Sequence, residues 1–299
     1  MSTRTKVRGT NRARSEFIWG WMFILPTMIG LFILNIIPIF QTIYQSFFKA
    51  GAFGKGNVFV GLDNYRRMFA DASVWQALIN TFKYAVVEVP FSIAIALVLA
   101  VLLNRHMRGR SLYRTIYFLP MVAAAMVWRW LYNSEFGLLN HLLNTLGFDS
   151  VNWISNPNTT FIWIAVVGIW SVIGYNMVLF LAGLQEIPQD YYEAAMIDGA
   201  SAVKQFFHIT IPLISPMMFF VSVTRIIAAM QVFDVIYMMM DRNNPAFFKT
   251  QSLVYLFYRY SFVESDRGYG SAIVMLLLLV IMVITVIQIR MQKKWVNYN

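Results

Sequence analysis

The stretch "YYEAAMIDGASAVKQFFHITIPLISP", Tyr191–Pro216, lies between two long apolar runs and matches neither in character. It carries Glu193, Asp198 and a single lysine, Lys204. Pro188, just upstream, suits the first turn of a helix, where a missing N–H does no harm. Asp190 and Glu193 would then lie near the positive end of the helix dipole. Gly199 can end that helix in left-handed backbone, and Ser201 can cap a second short helix, "SAVKQFFHI". Pro212 and Pro216 mark the entry to the next apolar run. The expected order is helix, glycine turn, helix, membrane. Tyr192, Ala195, Met196 and Gly199 fall at helical spacing on one face of the first helix, and Ala194 and Ala195 keep it slim. Such a helix can lie in the groove of another protein, or it can rest on lipid headgroups. The residues leave both readings open.

Outward from this stretch the chain is a membrane protein. Of 299 residues, 59% are hydrophobic and only 13% are charged, against about 25% charged in an average soluble domain. Six runs are long enough to cross a bilayer core of about 30 Å: Phe17–Phe40, Ile79–Leu103, Leu112–Leu131, Thr160–Leu184, Ile211–Met240 and Gly270–Ile289. Pro26, Pro38, Pro90, Pro120, Pro212 and Pro216 fall within or beside them, tolerated where neighbouring helices satisfy the freed backbone groups. The fold class expected is all-α and polytopic. A basic N-tail (1–16) precedes one transmembrane domain (17–299). The first run is long and lacks a small-residue cleavage site, so it reads as a retained span.

The net charge of +10 sits at the ends of apolar runs, as topology signals do, and not in a stripe suited to nucleic acid. Arg4, Lys6, Arg8, Arg12 and Arg14 crowd the N-tail, Arg105, Arg108, Arg110 and Arg114 the connection after the second run, and Arg290, Lys293 and Lys294 the C-tail. The connection Asn133–Asn158 has no Lys or Arg. Both termini are therefore expected in the cytoplasm, and with them the loop at about 185–210. Its four acids, Glu186, Asp190, Glu193 and Asp198, count little in that rule, yet they set the loop apart from a simple basic anchor.

Glu193-Ala194-Ala195, Gly199, Ile209 and Ile211-Pro212 stand in a fixed spacing that resembles the EAA signature of the permease subunits of binding-protein-dependent (type I) ABC importers. Ile211 departs mildly from the usual leucine. "NMVLFLAGLQEIPQDYYEAAMIDGA" (176–200), "QVFDVIYMM" (231–239) and "SLVYLFYRYSF" (252–262) are similar to the carbohydrate branch, and the likeness covers essentially the whole chain. The resemblance implies a type I permease fold of six spans in a bacterial or archaeal cytoplasmic membrane. It implies a coupling helix, with Tyr192, Glu193, Ala194, Ala195, Met196, Asp198 and Gly199 meeting a cytoplasmic ATPase. It implies as partners a second related permease, two ATPase subunits that carry ATP and Mg, and an extracytoplasmic binding protein docking on external segments that include Asp241–Arg267. The solute implied is a sugar or oligosaccharide. A glycerol-phosphate importer and a non-transporting scaffold are the rival readings.

The chain should not be its own motor. A phosphate-cradling loop needs GxxxxGK[ST], and "GAFGKGN" (51–57) fails it because Gly56 follows Lys55. There is no Cys, and His106, His141 and His208 are too scattered to suggest a metal site. "NTT" at Asn158 matches a glycosylation sequon, discounted for a bacterial or archaeal chain.

The remaining signals are polar residues within apolar runs, which usually face a protein interior or a water-filled path. Gln231 and Asp234 are expected on one helix face, while Arg225 is out of phase with Asp234. Glu88 can pair with Arg225 across helices, or either can serve a partner subunit. Tyr175 and Asn176 lie midway along the fourth run. These six residues are the candidates for a sugar pathway, where aromatic faces and amide or carboxylate groups meet hydroxyls; alternatively they satisfy one another. Arg129, between Trp128 and Trp130, is expected to snorkel to the interface.

Overall fold

Apolar runs in a bilayer must close their own hydrogen bonds, and helices do so within one segment. The computed structural model, describing residues 9–50, 57–104 and 109–296, is accordingly almost all helix. Arg4, Lys6, Arg8, Arg105, Arg108, His106 and most of the "GAFGKGN" string lie outside the described residues.

Helix α1 (Gly9–Leu31) continues through a π-helical turn at Phe32–Ile36 into α2 (Ile37–Ser46). A small antiparallel hairpin follows, β1 (Phe48–Ala50) on β2 (Asn57–Phe59). Next come α3 (Asp63–Ala70) and the long α4 (Ala72–Asn104). Beyond them lie α5 (Arg110–Phe118), α6 (Pro120–Leu131), α7 (Leu138–Thr145) and α8 (Thr160–Gln185). Four described helical stretches are long and apolar enough to cross a membrane: Arg14–Ser46, Ala72–Asn104, Thr160–Gln185 and Arg267–Trp295.

Two of the six expected runs differ from single helices. The third is divided at Leu119, because Pro120 opens a new helix there; α5 has 9 residues and α6 has 12, each too short to cross alone. The fifth is broken twice. A segment from Ala202 to Leu213 meets α12 (Ser215–Met230) at an angle of 68°, with Pro212 and Pro216 flanking the bend. At the other end α12 stops, Val232 and Phe233 leave the helix, and α13 (Asp234–Met239) starts afresh. The carbonyl freed at Val232 accepts a 2.6 Å hydrogen bond from Ser252 Oγ, which is how such a break survives in apolar surroundings.

The core is built on α4 and α8. One cluster joins Ala77, Tyr84, Ala85 and Val89 to Ile164, Ala165 and Val167. A second joins Ala96, Leu97 and Ala100 to Met177, Phe180 and Leu181. Both sets ascend together, so the two helices run in the same direction. Small residues bring the backbones close, as in membrane bundles generally. A Cβ on Gly168 would strike the Tyr84 hydroxyl, and one on Gly174 would strike the Tyr117 carbonyl. By contrast, none of the most apolar window of Arg14–Ser46 is buried within the chain.

At the far end, α14 (Leu253–Tyr258), a π-helical turn (Arg259–Val263) and α15 (Arg267–Trp295) are tied to α3. Arg67 Nη1 donates to Asp266 Oδ2 at 2.6 Å, and its guanidinium lies 3.8 Å from the Tyr269 ring centre. Asp71 accepts from Ser73 Oγ at 2.6 Å and from Tyr269 OH at 2.7 Å. Burial pushes the Asp71 carboxyl up, but these hydrogen bonds and the nearby Arg67 outweigh it and hold the group below the usual carboxylate range. A lowered folded value stabilises at pH above the unfolded value, and the effect is lost as pH falls through the folded one. Asp71→Asn should therefore lower the thermal midpoint at neutral pH and flatten its decline below about pH 4, as unfolding scans across pH would record.

Candidate functional site

After α8, Pro188 stands two residues ahead of the next helix, not in its first turn as the sequence suggested; Gln189 is the cap residue. Helix α9 (Asp190–Ile197) has Asp190 and Glu193 in its first turn, on the favourable side of its dipole. It closes at Gly199, whose φ of +73° is left-handed. The Gly199 N–H donates to Met196 O at 3.1 Å and the Ala200 N–H to Ala195 O at 2.9 Å, the pairing of a Schellman cap. Ser201 is extended, and its Oγ accepts from the Lys204 N–H at the start of α10 (Ala202–Gln205). A π-helical turn at Phe206–Thr210 and α11 (Ile211–Leu213) lead to the 68° bend.

The loop's side chains divide differently from the expected single face. Tyr192 and Ala195 are half-buried, with the Tyr192 hydroxyl 3.0 Å from Thr210 Oγ1. Met196 and Gly199 are exposed on the other side, as are Glu193, Ala194 and Asp198. The slim helix is real, but its aromatic ring points home. The apolar side chains on the outer face were not singled out from sequence: Ile197, 87% exposed, and Val203 and Phe207. Their signal was present, since each is an apolar residue of the loop outside the expected spans.

The intramembrane candidates separate into two groups. Arg225 Nη2 on α12 donates to Glu88 Oε1 on α4 at 2.8 Å, and Glu88 is fully buried. Glu88 lies between Tyr84 and Ser92 on one face of α4, both also buried. Asn176 on α8 is fully buried too, and neither its Oδ1 nor its Nδ2 has a hydrogen-bond partner among the described residues. Tyr175, Gln231 and Asp234 are exposed. Gln231 caps α12 while Asp234 begins α13, so the break at Val232–Phe233 removes the shared helix face expected of them. Arg129 does not simply snorkel: its Nη2 meets Asp241 Oδ2 at 2.5 Å and its Nη1 the Met238 carbonyl at 3.1 Å, tying α6 to the end of α13 and the segment after it.

The family model described as "Binding-protein-dependent transport system inner membrane component" matches residues 89–297. The chain belongs to that family. The permease is similar to the probable ABC transporter permease protein YesP of Bacillus subtilis, 34% identical over 293 residues covering 95% of this chain and 94% of that one. It is also similar to the trehalose/maltose transport system permease protein MalF of Thermococcus litoralis, 33% identical over 275 residues and covering 91% and 92%. Among solved structures, the permease shares its fold with a chain of a bacterial ABC transporter involved in alginate import, with a TM-score of 0.83, 22% identity and coverage of 95% and 98%. The type I importer permease fold expected from the EAA signature is thus the fold adopted.

Proposed function

We propose that the permease forms half of the translocation pathway of an ATP-driven importer for a sugar or oligosaccharide. The observation that carries this is the match to the family over residues 89–297, joined to near full-length similarity to a trehalose/maltose permease. A second, related permease completes the pathway. Two cytoplasmic ATPase subunits hold ATP and Mg, an extracytoplasmic binding protein delivers the solute, and the chain itself catalyses no hydrolysis. The segment at about 185–210 is the coupling loop. The Glu193 side chain is exposed and its carboxylate makes no hydrogen bond with any described residue, while its N–H donates to the Gln189 carbonyl, which favours a carboxylate offered to the ATPase over one bracing the turn. Met196 and Ile197 beside it supply an apolar anchor for the same cleft. Closure of the ATPase pair would draw α9 with it and change the exposure of the pathway, which requires contacts that differ between the two states.

The proposed topology has six crossings with both termini on the cytoplasmic side of the membrane. The parallel course of α4 and α8 supports it, because the chain must return across the bilayer between them, and α5 with α6 is the described segment suited to that return. The division into a basic tail at 1–16 and one transmembrane domain at 17–299 is proposed with it. Within the pathway, Asn176, Gln231, Asp234 and Tyr175 are the proposed solute contacts. A phosphate-ester solute is less favoured, since Arg225 on α12 is committed to Glu88.

The test is the ATPase activity of the purified complex with its binding protein, assayed with a panel of sugars. Stimulation by one carbohydrate is the expected result. Stimulation by glycerol phosphate alone would replace the substrate reading, and silence with every solute would leave the scaffold reading standing.

A further inference from the structure

The loop has a joint and, across from it, a tie. Gly199 at φ +73° joins α9 to α10 with nothing within 4 Å of where its Cβ would be. Left to that joint alone, a pull on α9 would be absorbed by swinging about Gly199. The tie is the 3.0 Å contact between the Tyr192 hydroxyl and Thr210 Oγ1, which closes an 18-residue separation. Thr210 is only 4% exposed and ends the π-helical turn that leads into the bent fifth span. Gln205 Nε2, donating to the Ala200 carbonyl at 3.0 Å, holds α10 against the turn on the same side. Behind the tie lies a cavity of about 380 Å³ lined by Tyr192, Gln189, Asn104, Gln205, Phe206 and Thr210. The cavity separates α9 from Asn104 at the end of α4, while the hydroxyl pair joins α9 directly to the π-helical turn.

We propose that the Tyr192–Thr210 hydroxyl pair is a clasp that makes the exposed helix α9 and the entry to the fifth span move as one body. This rests on the reading of α9 as the ATPase-docking helix. Tyr192 and Thr210 are positioning residues: neither offers its polar atom to a partner, and both act through the rigidity of the loop. Tyr192→Phe keeps the ring in place and removes only the oxygen. The helix still docks, but part of its displacement is lost at Gly199.

The experiment uses the complete importer reconstituted in vesicles, with Tyr192→Phe, Thr210→Val, Thr210→Ser and the Tyr192→Phe/Thr210→Val pair. The readouts are co-purification with the ATPase, ATP turnover and solute moved per ATP. The expected result is unchanged co-purification and ATP turnover, with solute per ATP reduced about five-fold by either hydroxyl deletion, the factor for one lost hydrogen bond. The double variant should be no worse than the single ones, and Thr210→Ser should behave as the parent. Unchanged solute per ATP in Tyr192→Phe would overturn the clasp, and so would parallel loss of co-purification and transport, which marks a merely structural role. Amide hydrogen exchange on the same complexes separates this from the substrate reading. If the parent complex hydrolyses ATP but moves no carbohydrate, the substrate reading fails. The clasp is then judged by exchange at Ala200–Gln205, which should quicken about five-fold in Tyr192→Phe and whose constancy would refute it.

Discussion

Glu88→Ala is expected to destabilise the folded bundle by about 3–5 kcal/mol, the usual penalty for stranding one member of a buried ion pair. The expectation follows from the placement of Arg225. Its guanidinium is largely buried and reaches Glu88 at 2.8 Å, while its Nε has no partner among the described residues. Without the carboxylate, a cation would remain inside the bundle at membrane depth, where charges are costly. Replacing both residues with apolar ones, Glu88→Leu with Arg225→Met, should recover most of the loss, because a buried pair exchanged for well-packed side chains is often neutral. Unfolding titrations in detergent micelles would measure all the variants. A loss below about 1 kcal/mol in the single variant would show that the pair behaves as if solvated, and would place water beside it.

Gly199→Val should reduce solute uptake by at least about ten-fold while leaving membrane insertion intact. A side chain there has room, so the obstacle is conformational: left-handed backbone costs an L-residue roughly 1–2 kcal/mol, and a β-branched one more. About 1.4 kcal/mol corresponds to ten-fold. The α9 cap would reform with a different exit direction, and Met196, Ile197 and Glu193 would no longer be presented as a set. Gly199→Asn, which tolerates this region, should retain most of the uptake. Transport assays beside a protease-protection assay for insertion would separate the effects. Full uptake in the valine variant would show that the turn's geometry does not matter to coupling.

The two predictions rest on features with very different visibility in the sequence. Gly199 was legible because helix, cap and turn follow local rules: acids before, glycine at the stop, serine at the next cap. Helix α8 was legible to within a residue, since a run without charged residues from Thr160 to Gln185 lies between polar segments on both sides. The breaks at Leu119 and at Val232–Phe233 were not. A helix in lipid normally continues, and what releases the second break is a hydroxyl at Ser252, remote in sequence from the carbonyl it satisfies. The separation of Gln231 from Asp234 was hidden for the same reason. Tyr192 was misplaced because spacing assigns residues to a face but does not say which face turns toward the rest of the chain. The Glu88–Arg225 contact was an open alternative, since two ionisable groups in different runs suggest a pairing without requiring it.

The Glu88–Arg225 contact also constrains how the chain is made. Arg225 follows Glu88 by 137 positions, which at about 5–20 residues per second corresponds to roughly 7–27 s of synthesis. Through most of that interval α4 is complete and carries a carboxyl group that has no cation to meet. Its 33-residue length and apolar flanks must therefore secure its entry unaided, and α8 must arrive to shelter it before α12 is complete. Correct biogenesis is a matter of timing as well as affinity, and slowing translation between α8 and α12 should expose the nascent chain to quality control at this one residue.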